Sequence, residues 1–64
     1  MKFKPKIGDT YFLPAFTPRP HGSSWQLTKD SEYFAEPWIS LGLVFPTEVE
    51  AAKAAQRMVE AANL

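Results

Sequence analysis

Sixty-four residues with no cysteine, one histidine, and seven basic side chains against seven acidic ones describe one small domain. That composition excludes disulfides and thiolate metal sites, and it offers no basic surplus for holding phosphate. A chain this short buries only roughly 60% of its unfolded surface, so a thin core is expected.

The whole chain, 1–64, reads as a single domain that opens with an extended basic arm over residues 1–7. There Lys2, Lys4 and Lys6 alternate with Phe3, Pro5 and Ile7, and Pro5 keeps the arm out of helix. The opening MKFKPKIGD lacks the apolar stretch of a secretory signal, and no apolar run reaches the ~18 residues that span a bilayer. A cytoplasmic setting with no membrane partner is therefore expected.

Gly8-Asp9 marks a turn, and TYFLPAF at residues 10–16 predicts a strand by its aromatic content. Pro14 cannot donate to a ladder, which places this strand at an edge or gives it a bulge. The run TPRPHGSS reads as a loop. SWQLT at 24–28 predicts a second strand, with Trp25 and Leu27 on one side. KDSEYFAEP combines Asp30, Glu32 and Glu36 with Tyr33 and Phe34, and it reads as a loop or a short turn of helix ending at Pro37.

WISLGLVF at 38–45 predicts a third strand. Ile39, Leu41, Leu43 and Phe45 share one face of it, and Trp38, Ser40, Gly42 and Val44 share the other. Pro46 forbids its extension. Thr47 then caps a helix over about 48–62, with Glu50 three residues on completing a capping box. Ala51, Ala55, Met58, Val59 and Ala62 form its apolar stripe, opposite Lys53, Gln56, Arg57 and Glu60. The expected fold is α+β: a three-stranded antiparallel sheet (10–16, 24–28, 38–45) with one C-terminal helix packed on one face.

Convergent catalytic groups are missing from this pattern. His21 stands alone in a glycine-containing loop beside Ser23 and Ser24, the three glycines at 8, 22 and 42 form no phosphate loop, and the carboxylates of Asp30, Glu32 and Glu36 share one connection. The expectation is no enzyme, no catalytic residue, no metal, no cofactor and no small-molecule substrate. Binding is the alternative. Nine aromatic residues exceed what one alanine-rich helix can cover, so some of them should form an exposed docking surface. The expected anchors are Tyr33, Phe34 and Trp38, with Asp30, Glu32 and Glu36 as a polar rim able to mimic nucleic-acid charge.

Two stretches, KPKIGDTYF at 4–12 and VFPTEVEAAKAA at 44–55, resemble the ends of small uncharacterised proteins encoded by phages and prophages. That resemblance implies a phage-related accessory protein acting by stoichiometric binding, of the anti-CRISPR or other anti-defence kind. The partner would be a host protein, or a second copy in a homodimer. LGLVFPTEVEAA is also similar to the junction of ethylene-response-factor DNA-binding domains and the arm-binding domains of tyrosine recombinases, with one extra residue between Gly42 and Phe45. This second likeness implies a sheet-face DNA-binding module. The predicted strands carry no arginine and the net charge is zero, so a protein partner is favoured over nucleic acid.

Overall fold

In the computed structural model, residues 3–63 are described; Lys2, first lysine of the expected arm, lies outside them. Four elements follow in order: β1 (Thr10–Ala15), β2 (His21–Gln26), α1 (Glu32–Ser40) and α2 (Glu48–Ala62). The fold is thus α+β, but with two strands and two helices where three strands and one helix were expected.

The chain enters through a turn. Asp9 N–H donates to the Lys6 carbonyl at 2.9 Å, and Gly8 at the third position has φ +99°, a conformation that suits glycine. The Asp9 carboxylate closes the turn by accepting from Lys6 N–H at 2.8 Å. Before the turn, Pro5 is buried and Phe3 packs against the core.

β1 and β2 form an antiparallel hairpin in a register running from Thr10↔Gln26 to Ala15↔His21. The connection is the five residues 16–20, so His21 to Ser23, expected in a loop, belong to β2, and Leu27 and Thr28, expected in the strand, lie beyond its end. Their poor strand propensity is overridden by pairing with β1. Pro14 is accommodated by parity. Phe12 turns its N–H and C=O away from β2, toward Phe45, so Pro14 two residues on also faces away and withholds no bond from the hairpin.

The predicted strand at 38–45 is the main correction. Trp38, Ile39 and Ser40 complete α1, Leu41-Gly42 turns, and only Phe45 pairs, in an isolated antiparallel bridge with Phe12 (2.9 and 3.0 Å). Ala35, Trp38 and Ile39 stand at i, i+3 and i+4: Ala35 is buried, and the other two pack on the core. Continuing the helix past Pro37 brings that triplet onto the core, whereas a strand would split it between two faces. Leu41, expected to share a strand face with Ile39, Leu43 and Phe45, is 72% exposed. Gly42 (φ +72°) ends α1 by donating to the Ile39 carbonyl at 3.0 Å, while Leu43 N–H reaches the Trp38 carbonyl at 2.9 Å. These are the two bonds of a Schellman stop. A glycine assigned to a strand interior is in fact a helix terminator.

α2 occupies the bounds expected for it. Thr47 is in extended conformation and its hydroxyl accepts from Glu50 N–H at 3.2 Å, although among the described residues the return bond from the Glu50 side chain is not made. The cap is therefore half of the expected box. Its inward stripe is narrower than expected: Ala51, Ala54 and Ala55 are buried, and Ala62 is exposed.

The two helices meet different faces of the hairpin. A Cβ at Gly22 would run into Glu48 and Ala51 of α2, while the ring of Trp25, three residues along β2, lies against Phe34 of α1. Strand alternation sends positions 22 and 25 to opposite faces. On the α1 side Tyr11, Leu13, Leu27, Ala35 and Val44 form the core cluster. The α2 side is closed by small residues, Gly22 against alanine.

Candidate interaction surface

The six residues expected to contact a partner are carried on α1 and the turn before it, and the helix distributes them in different directions. That turn is locked by two hydroxyls: Thr28 N–H donates to Ser31 Oγ at 3.0 Å, and Ser31 N–H to Thr28 Oγ1 at 3.2 Å. Ser31 then precedes the first helical residue, Glu32, whose negative charge suits the helix N-terminus. Asp30 is exposed on the turn.

Trp38 points inward and packs against the core cluster, so it supports the fold. The exposed tryptophan is Trp25 on β2, at 45%. Its ring centroid lies 5.8 Å from that of Phe34, with the planes inclined at 41°. This is a tilted geometry within the favourable range for aromatic pairs. Phe34 is 44% exposed and Tyr33, the next residue back along α1, is 79% exposed. Trp25 and Phe34 are therefore the large aromatic surfaces available on this side. The sequence signal for Trp25 was weak, because alternation with Leu27 suggested a buried face. Leu27 is indeed buried, but Trp25 lies at the rim of the sheet, where Phe34 covers only one side of its ring.

Glu32, Tyr33 and Glu36 face another way. Together with Ile39 they form one wall of a shallow groove of about 450 Å³, opposite Lys4 and Pro5, with Leu27 also lining it. Glu32 and Glu36 sit one turn apart, and Lys4 across the groove is of opposite charge. The acidic residues thus edge the exposed aromatic ring of Tyr33. A second groove of about 500 Å³ lies between the hairpin loop and α2, where Arg19 and Lys53 are accompanied by Glu48. Its mixed charge does not form a basic track.

Among the described residues no three His, Asp or Glu side chains converge as a metal site would require, and no helix is long and apolar enough to cross a membrane. The His21 ring Nδ1 lies 2.7 Å from the Arg19 carbonyl, which ties the first residue of β2 to the hairpin loop. Tyr11 is the one described side chain with a fully buried polar atom lacking a partner, and burial raises its phenol pKa above the ordinary 10.0. No protein-family model, no curated protein and no solved structure matches this chain.

Proposed function

We propose that this protein acts by stoichiometric binding to another protein through the aromatic pair of Trp25 and Phe34, with the exposed ring of Tyr33 flanking it on another side of α1. The carrying observation is the Trp25–Phe34 pair: two large rings held in fixed geometry by a strand and a helix, each with nearly half its surface in water. Rigid, half-covered aromatics supply apolar contact area at little entropic cost, and such residues dominate interface energetics. Glu32 and Glu36 beside Tyr33 supply a polar rim that would favour a partner with basic groups at the edge of its contact. The likeness of both chain ends to phage-encoded proteins supports a host protein as that partner, with the chain as its inhibitor or adaptor.

A sheet-face DNA module is disfavoured by the fold. Such a module needs a broad open sheet carrying arginines, and this chain has a two-stranded ribbon with a helix against each face and its arginines elsewhere, at 19 and 57.

The test is capture from host lysate with immobilised wild type, Trp25→Ala and Tyr33→Ala, followed by titration of the captured protein against each purified variant. All three should give the same far-ultraviolet circular dichroism, because both side chains are exposed. The expected result is one host protein retained by the wild type and bound at least tenfold more weakly by Trp25→Ala. Equal binding by all three proteins would remove the aromatic surface from the account.

A further inference from the structure

β2 has a free edge. Leu27 N–H donates to the Asp9 carbonyl at 2.9 Å, and Trp25 and Ser23, of the same parity, face β1 in the same way. Gly22, Ser24 and Gln26 therefore turn their backbone N–H and C=O groups outward, and among the described residues these take no backbone partner beyond the ladder. Natural sheets blunt such edges with charge, proline, a bulge or a covering element. From His21 to Thr28 there is no acidic residue, lysine, arginine or proline. β2 pairs residue for residue with β1, without a bulge; α2 buries Gly22, while Ser24, Trp25 and Gln26 are exposed, so the open part of the edge is centred on Ser24 and Gln26.

We propose that this edge pairs antiparallel with β2 of a second copy, about a two-fold axis at Ser24, to make a four-stranded sheet. The strand is self-complementary about that residue. Ser24 faces outward and is exposed, so it exchanges two backbone bonds with Ser24 of the second copy. On the other parity the large Trp25 faces the small Ser23 of the second copy, so the side chains fit as well. Formal net charge is zero, so two copies approach without overall repulsion. Residues opposed across an antiparallel pair share a face, so the dimer brings two Trp25–Phe34 pairs onto one side. The proposal stands apart from the protein-docking reading, and either can fail without the other.

The experiment is light scattering and sedimentation of the intact chain from micromolar to millimolar concentration. A mass approaching twice 7.2 kDa is expected. Ser24→Lys and Ser24→Glu each place two like charges face to face at the axis, and each should leave a folded monomer. Their equimolar mixture should recover the dimer, because lysine then faces glutamate. Circular dichroism of each variant establishes that it folds, and the wild-type mass is decisive independently of either. A wild type that stays monomeric throughout overturns the proposal. So does a dimer indifferent to both substitutions, or a mixture of folded variants that stays monomeric.

Discussion

Gly22 of β2 and Ala51 of α2 approach so closely that a Cβ added to the glycine would stand 3.0 Å from the alanine Cβ and 2.6 Å from the Glu48 carbonyl oxygen. The helix rests on the ribbon only because both positions are small. Gly22→Ala must move helix backbone, an overpacking cost of about 1–3 kcal/mol that outweighs the smaller gain from a stiffer unfolded chain. Urea unfolding should show a lower midpoint; a midpoint equal to or above the wild type would mean that α2 does not sit on Gly22.

The helix stop at Gly42 makes a second expectation. Its φ of +72° is costly for any residue with a Cβ, at roughly 1–2 kcal/mol. Gly42→Ala should lower the melting temperature, and Gly42→Asn should lower it less, because asparagine tolerates this region. Equal melting of all three proteins would argue for a strand at 38–45 after all.

Thr47→Ala removes the hydroxyl that accepts from Glu50 N–H and should cost about 1 kcal/mol. Thr47→Ser should retain most of the stability. Because the Glu50 side chain makes no return bond among the described residues, Glu50→Gln is expected to matter less than Thr47→Ala in the same thermal melts.

The two tryptophans should respond in opposite ways. Trp38→Ala opens a gap against the core cluster and should approach the roughly 3 kcal/mol at the lower end of such truncations, enough to unfold much of a domain this small. Trp25→Ala forfeits about 1 kcal/mol of ring pairing and should stay folded. Chemical denaturation of both variants checks the order, and a more stable Trp38→Ala would reverse the assignment of core and surface.

Tyr11 carries a buried hydroxyl with no partner, so Tyr11→Phe should raise stability by about 1 kcal/mol. Burial favours the neutral phenol and raises its pKa when folded. Between the unfolded value near 10 and the higher folded value, the folded state holds a proton that the unfolded state has lost. Stability from this group is therefore complete below about pH 10 and falls as pH climbs above it. Tyr11→Phe should lack that component of the alkaline decline, measured as the difference between the two proteins' urea midpoints across pH 9 to 11.

Local chemistry decided α2 from the sequence alone. Thr47 as cap, acids in the first turn and an uninterrupted alanine-rich period all act within a few residues, so the element formed where its own residues required. The turn at Gly8-Asp9 and the edge character forced by Pro14 were legible for the same reason. The segment 32–45 was not. Its residues satisfy two periods at once, since Ile39, Leu41, Leu43 and Phe45 alternate while Ala35, Trp38 and Ile39 follow a helical turn. Pro37 also made the helical reading look interrupted. The tertiary structure settled the choice, because only the helix brings Ala35, Trp38 and Ile39 onto Tyr11, Leu13 and Val44 together. The same packing decided which tryptophan is exposed. An aromatic surplus is visible in the composition, but which rings face water depends on where the helices lie, and that is fixed by contacts between residues far apart in the chain.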